Sequence, residues 1–155
     1  MLIEQLRKSR PFGLIAGLNV IQTYQAMYKC ADSLSASAYD LGLEFVFKAS
    51  FDKANRTVDS AFRGPGIERG LELLSRLKHD MPHVQIVTDV HETRQCEMVK
   101  AAGLDLIQIP AFLCRQTDLI HAAVDTGLPI LLKKGKLYVS VFLVAPFNSN
   151  LALKF

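Results

Sequence analysis

The chain has 155 residues; half of them are hydrophobic, 21% are charged, and the formal net charge is only +3. A chain of this size and apolar content can bury a core, which argues against intrinsic disorder. The charge is too small to indicate a nucleic-acid partner, and no apolar run reaches the roughly 18 residues that a membrane-spanning helix needs. We therefore expect neither a nucleic-acid partner nor a membrane partner.

Short apolar runs alternate along the chain with segments of helical periodicity. Glycines at 42, 103 and 127 directly follow three of the helical segments, where glycine commonly ends a helix. The predicted strands are residues 12–17, 44–50, 84–90, 104–109 and 128–133. Three of the predicted helices are residues 24–41, 92–102 and 117–126. A further helix, the second in chain order, is indicated by an apolar stripe at positions 67, 71, 74 and 77.

Five strands separated by four helices predict an α/β protein with a parallel sheet and crossover helices. The strands are nearly continuous apolar runs, as expected when both faces of a sheet are covered. Two architectures fit this pattern, a doubly wound open sheet and part of a (β/α)8 barrel. No Gly-x-Gly-x-x-Gly follows the first strand, which argues against the dinucleotide-binding version of the open sheet.

Polar and charged side chains gather where each predicted strand meets the following loop. In a (β/α)8 barrel these positions share the face that carries the chemistry. Arg and Lys there suit phosphate and carboxylate groups, because Arg donates paired hydrogen bonds and Lys supplies a point charge. Contact with water explains any single loop lysine equally well, but the set predicts an anion site. Its members are Lys48, Ser50, Asp52, Lys53, Asn55, Arg56 and Arg63 after the second strand, Asp89 after the third, Gln108 and Arg115 after the fourth, and Lys133 and Lys134 after the fifth.

His91 also follows the third strand, but a structural place at the start of the next helix explains it equally well. The three cysteines, Cys30, Cys96 and Cys114, are odd in number and far apart, which argues against a disulfide framework or a zinc motif. They favour a reducing compartment. Because the first residues lack the apolar core of a signal peptide, the expected location is the cytoplasm.

Four motifs resemble those of one known enzyme family, in the same order. They are KASFDKANR at 48–56, RGPG at 63–66, TDVHE at 88–92 and QIPAFLCRQTD at 108–118, and KKG follows at 133–135. The chain thereby resembles 3-deoxy-D-manno-octulosonate 8-phosphate synthase, also called 2-dehydro-3-deoxyphosphooctonate aldolase. The sequences of its motifs look closest to those of the plant branch. The resemblance covers about residues 11–135.

The resemblance implies an aldolase-type (β/α)8 TIM barrel and a transferase that forms a carbon–carbon bond. Its reaction condenses phosphoenolpyruvate with D-arabinose 5-phosphate and releases phosphate, in the biosynthesis of an eight-carbon sugar acid (Kdo) of cell-wall polymers. Full-length members are implied to form homo-oligomers. For phosphoenolpyruvate, the family implies that its carboxylate is held by Lys48, Ser50, Lys53 and Gln108 and that its phosphate is reached by Lys134. For the sugar phosphate, the family implies binding by Asn55, Arg56 and Arg115. Asp89 is implied to lie near the reacting carbons, and the catalytic set is Lys53, Asp89 and Lys134.

The same resemblance bears on the cofactor. Some members carry a Cys on the first strand as a metal ligand, whereas others carry Asn there and need no metal. Asn19 stands at that place, and an amide is a poor replacement for a thiolate with borderline-soft metals. We expect no metal and no other cofactor.

The length departs from the family. A (β/α)8 barrel usually takes about 250 residues, and the resemblance ends after five βα units, so the chain is expected to be an incomplete barrel over residues 1–135. Residues 136–155 are expected to be an aberrant apolar tail unrelated to the family. Either the chain rearranges or the tail pairs as an extra strand. An inactive truncated product, or an interaction module of full-length subunits, is the alternative to a working synthase.

Overall fold

The computed structural model describes residues 12–58 and 60–133, together with the backbone of residues 142–145. The predicted strands and helices form in the expected order, with ends that differ by a few residues at most. The strands are β1 (Leu14–Leu18), β2 (Phe45–Ala49), β3 (Gln85–Asp89), β4 (Leu106–Ile109) and β5 (Ile130–Lys133), and the helices are α1 (Tyr24–Asp40), α2 (Ile67–Asp80), α3 (Thr93–Ala101) and α4 (Thr117–Asp125).

The strands pair side by side in chain order, and every pair from β1 to β5 is parallel. A doubly wound sheet would reverse its strand order at a switch point, and these five strands contain no such reversal. The sheet curls into a half-barrel with helices alternating along the chain, which is an incomplete (β/α)8 barrel. The strand order thus decides between the two architectures that the periodicity left open.

Residues of β1 to β4 enter two separate apolar clusters, because successive side chains of a strand point to opposite faces of a sheet. The larger cluster lies between sheet and helices, where Phe47, Ile86 and Ile107 pack with the predicted stripe of α2, including Leu74 and Leu77. The smaller cluster lies on the inner face and consists of Val46, Val87 and Leu106, with Ile15 packed against it. None of the described helices combines the length and the hydropathy that crossing a bilayer requires.

The described cysteines are free thiols at Cys30, Cys96 and Cys114. Cys96 lies on α3 inside the larger cluster, where burial raises its pKa to about 11. A thiol with a raised pKa is a poor nucleophile, so Cys96 serves as a small core residue.

A sixth strand, β6 (Phe142–Ala145), pairs antiparallel with β5, from Lys133 opposite Phe142 to Ile130 opposite Ala145. Of the two alternatives raised by the length, this backbone pairing corresponds to the tail adding a strand. It covers the outer edge of β5, and an uncovered edge would invite pairing with another chain. The remaining residues of 136–155 lie outside the described part, and their lack of relation to the family stays a prediction.

The connection from β2 to α2 packs around Phe51, which is 1% exposed. Gly64 has a φ of +124°, and a Cβ there would lie 2.3 Å from the Phe51 carbonyl oxygen. A Cβ on Gly70 would lie 2.2 Å from the Phe51 Cβ. Both positions therefore require glycine, since neither the loop nor α2 could otherwise approach Phe51 so closely.

Candidate functional site

The inner face changes from apolar to polar at the carboxyl ends of the strands. Lys48, Asp89 and Gln108 each follow, two residues later, an apolar residue of the small inner cluster, and Asp89 pairs in register with Gln108. Residues two apart in a strand share a face, so these side chains meet at one end of the half-barrel. They adjoin a cleft of about 440 Å³ whose polar lining includes Lys53, Asn55, Asp89, His91, Gln108 and Lys133.

Two lysines share one hydroxyl group at the floor of this cleft. The Lys48 Nζ donates to Ser50 Oγ at 2.6 Å, and the Lys53 Nζ donates to the same oxygen at 2.7 Å. Ser50 is completely buried, so its position is set by packing. A hydroxyl oxygen has two lone pairs, and here both face ammonium groups, which brings two positive charges close together.

Lys48 and Lys53 have lower pKa values than ordinary lysines. Burial lowers the pKa of Lys48, against the opposing effect of Asp89, and the charges of Lys53 and Lys133 lower it further. Burial also lowers the pKa of Lys53, again opposed by Asp89, with further lowering by Lys133 and Arg56. Because these cations repel one another in a partly dehydrated cleft, an anion that binds between them lowers their electrostatic free energy. The arrangement is therefore suited to bind an anion.

Asp89 is the anion that balances these cations in the structure. Its Oδ1 accepts from the Lys48 Nζ at 2.9 Å, and its Oδ2 lies 3.4 Å from the His91 Nε2. Burial by itself would raise the pKa of Asp89, but the contact with His91, the charge of Lys48 and a hydrogen bond from Ser50 together hold that pKa well below its usual range. Asp89 is therefore ionised at neutral pH.

A second ion pair holds the loop that carries Lys53. Arg63 donates two hydrogen bonds to the Asp52 carboxylate, at 2.9 and 2.7 Å, and the hydrogen bond from Arg63 holds the pKa of Asp52 below its usual value. The Arg63 carbonyl oxygen accepts from the Lys53 N–H at 2.7 Å. Arg63 was expected among the cations of the mouth, but its paired hydrogen bonds go to Asp52, so it fixes the loop.

Most of the predicted site residues meet at the cleft. Lys53, Asn55, Asp89 and Gln108 line it, and Lys48 and Ser50 join them through the hydrogen bonds described above. Arg56 is exposed, but its charge reaches Lys53. Arg115 is exposed and does not belong to the cleft lining, and Lys134 lies outside the described residues. The individual roles of these residues stay predictions.

His91 received no functional role from the sequence, and Lys133 was placed in the predicted anion site without a role of its own. Both line the cleft, and His91 contacts Asp89 directly. The spacing Asp89-Val-His91 contained the signal, because residues two apart in an extended segment share a face. A short 3₁₀ turn at Ala111–Leu113 forms part of the cleft wall as well.

Asn19 lies exposed directly after β1. Within residues 12–58 and 60–133, no group of three or more His, Cys, Asp or Glu side chains is placed to hold a metal ion. That the site works without a metal stays a prediction that rests on the amide at position 19.

Comparison with known proteins gives matches over most of the chain. A family profile described as the DAHP synthetase I family matches residues 7–151. The 2-dehydro-3-deoxyphosphooctonate aldolase 2 of Arabidopsis thaliana is 51% identical over 138 residues, which cover 88% of this chain and 46% of that protein. The 2-dehydro-3-deoxyphosphooctonate aldolase of Pisum sativum is 49% identical over the same shares of the two chains.

A bacterial relative gives the same result. The 2-dehydro-3-deoxyphosphooctonate aldolase of Albidiferax ferrireducens is 49% identical over 128 residues, which cover 83% of this chain and 44% of that protein. The chain thus spans about half the length of the curated relatives it matches. The family match over residues 7–151 agrees with the parallel strands in barrel order and with the polar side chains at their carboxyl ends. The chain therefore belongs to the DAHP synthetase I family.

Proposed function

We propose that the cleft binds phosphoenolpyruvate and that the chain takes part in its condensation with D-arabinose 5-phosphate, giving 3-deoxy-D-manno-octulosonate 8-phosphate and phosphate. The observation that carries the proposal is the hydrogen-bonded group of Lys48, Ser50 and Lys53 beside Gln108 and Lys133. The names of the relatives support the same reaction, and they favour a catalytic role over that of an interaction module.

Phosphoenolpyruvate carries a carboxylate and a phosphate, and the cleft offers separate groups for the two. Lys53 and Gln108 line the cleft and are the residues that we assign to the carboxylate. Ser50 is buried beneath them and acts on the carboxylate through the lysines, because its hydroxyl oxygen accepts from both Lys48 and Lys53. Lys133 lines the same cleft and favours the phosphate, together with Lys134. Asn55 and Arg56, on the loop after β2, are the residues for the sugar phosphate, with Arg115 from a neighbouring subunit of a homo-oligomer.

The chemistry requires stabilised charge and two anions held side by side. The methylene carbon of phosphoenolpyruvate forms a bond to the aldehyde carbon of the sugar, whose oxygen takes a proton. Water adds to the carbon that bears the phosphate and gives up its protons, and the bond from that carbon to the phosphate oxygen then breaks, leaving a keto acid and inorganic phosphate. Fixed cations stabilise the developing oxyanion, and they offset the repulsion between two anionic substrates. Asp89 would lie near the reacting carbons.

Calorimetric titration with phosphoenolpyruvate tests the binding step on the 155-residue chain. We expect saturable binding that Lys53→Met weakens at least about tenfold, since charge-assisted hydrogen bonds are the strong ones. Lys29→Met is the matched control, because Lys29 is exposed on α1 and its loss removes the same charge far from the cleft. Absence of binding, or equal effects of the two substitutions, would contradict the proposal. Release of phosphate that requires D-arabinose 5-phosphate then tests the condensation.

A further inference from the structure

We propose that His91 is a positioning residue that keeps the Asp89 carboxylate on Lys48 and away from the other cleft lysines. The inference rests on the proposed function only in that those lysines serve an anionic substrate. It concerns a side chain for which neither the sequence nor the family resemblance supplied a role.

The Asp89 carboxylate could compete with a substrate anion for the lysines of the cleft. It lines the same cleft as Lys53 and Lys133, and its negative charge already acts on Lys53. A carboxylate that turned toward Lys53 would occupy the ammonium group that a substrate anion needs. Because an internal carboxylate is always present at high effective concentration, it would compete well with a dissolved anion.

The contacts of Asp89 prevent that turn. Its Oδ1 is held by Lys48 at 2.9 Å, and its Oδ2 lies 3.4 Å from the His91 Nε2. The His91 Nδ1 is buried without a hydrogen-bond partner among the described residues. With one ring nitrogen unpartnered and the other facing a carboxylate, the hydrogen belongs on Nε2, so His91 donates toward Asp89.

His91 is itself held on two sides, as a positioning residue must be. Its backbone N–H donates to the Gln95 Oε1 at 2.7 Å, at the capped start of α3. Its ring meets the Phe51 ring edge-on, with centroids 5.7 Å apart. Phe51 in turn is enclosed by the close approach of Gly64 and Gly70. The imidazole therefore has a fixed place from which to hold Oδ2.

The test measures how readily Lys53 reacts, which needs no ligand. Competitive acetylation with acetic anhydride, read by mass spectrometry, reports the unprotonated fraction of each lysine. His91→Phe keeps a ring against Phe51 but removes the donor. If Asp89 then turns to Lys53, the pKa of Lys53 rises, and its acetylation slows by about threefold to tenfold, equivalent to about half to one pKa unit.

Asp89→Asn distinguishes positioning from packing. In the Asp89→Asn background we expect His91→Phe to leave Lys53 acetylation unchanged, because the carboxylate that His91 directs is gone. His91→Gln, which retains an amide N–H donor, should keep Lys53 near its original reactivity, and His83→Leu, at an exposed position, is the control for loss of a histidine. An equal effect of His91→Phe with and without Asp89, or no effect at all, would overturn the proposal.

The same variants separate this inference from the proposed function. If both hold, His91→Phe weakens phosphoenolpyruvate binding by about threefold to tenfold, in proportion to the change in Lys53, and only while Asp89 is present. A chain that binds no phosphoenolpyruvate but shows the Asp89-dependent change in Lys53 acetylation contradicts the proposed function and supports the role of His91. Binding that is indifferent to His91, with unchanged acetylation, contradicts the role of His91 alone.

Discussion

The two faces of the sheet are made from alternate residues of the same strands, yet they are built for different purposes. The helix-facing side is an extended apolar layer that includes Phe47, Ile86 and Leu74. The inner side has only Val46, Val87 and Leu106 as a described buried cluster before it turns polar at the strand ends. Burial on the helix side stabilises the chain, whereas burial on the inner side brings charges together that would separate in water. Stability and binding should therefore respond differently to changes on the two faces.

The largest effect is expected at the buried ion pair of the inner face. Lys48→Met leaves the Asp89 carboxylate buried without its cation, and we expect a loss of about 3–5 kcal/mol in the free energy of unfolding, measured by chemical denaturation. The double variant Lys48→Met with Asp89→Asn should recover more than half of that loss, because it leaves no unpaired charge. A double variant as unstable as the single one would show that the pair is not the cause.

A somewhat smaller effect is expected in the helix-facing layer. Leu74 is completely buried on α2, and Leu74→Ala should reduce the free energy of unfolding by about 3 kcal/mol through lost burial and a cavity. Under conditions where the variant remains folded, phosphoenolpyruvate affinity should stay within about twofold, a small change in free energy, since Leu74 is no part of the cleft. Calorimetric titration checks this, and a large loss of affinity would show that the two faces are coupled.

The loss of folding stability at low pH should show the contribution of the ionised Asp89 carboxylate. Its folded pKa is depressed below the unfolded value of about 3.9, so it contributes stability that is present above that value and is lost as pH falls toward the folded pKa. Between about pH 5 and about pH 3 the native protein should lose about 1 kcal/mol more than Asp89→Asn does. Denaturation curves across this range measure the difference. Parallel curves for the two proteins would mean that Asp89 is not stabilised as an anion.

The smallest effect is expected for an ion pair of the same chemistry on the outer surface. Arg69 and Glu72 pair on α2 with side chains 58% and 66% exposed, whereas those of Lys48 and Asp89 are 16% and 6% exposed. Arg69→Ala should change the free energy of unfolding by less than about 0.5 kcal/mol, and the change should shrink with added salt. A loss comparable to that of Lys48→Met would refute the claim that burial sets the difference.

The sequence was sufficient for the elements and for most of the cleft. Apolar periodicity is a local property, so residues 44–50 and 84–90 could be read as strands and Leu71 and Leu74 as one face of a helix. The carboxyl ends of parallel strands meet at one edge, so Lys48, Asp89 and Gln108 could be grouped before their positions were known. The four motifs added the family, and the family profile agrees.

Only the tertiary structure decided which contacts those residues make. Periodicity is the same in a doubly wound sheet and in a barrel, and the order of the strands depends on contacts between distant segments. The contact of His91 with Asp89, the pairing of Arg63 with Asp52 and the place of Arg115 outside the cleft lining depend on loop conformation and side-chain direction. Lys48 and Asp89 are 41 positions apart, and the parallel register that joins β2 to β3 brings their charges within hydrogen-bonding distance.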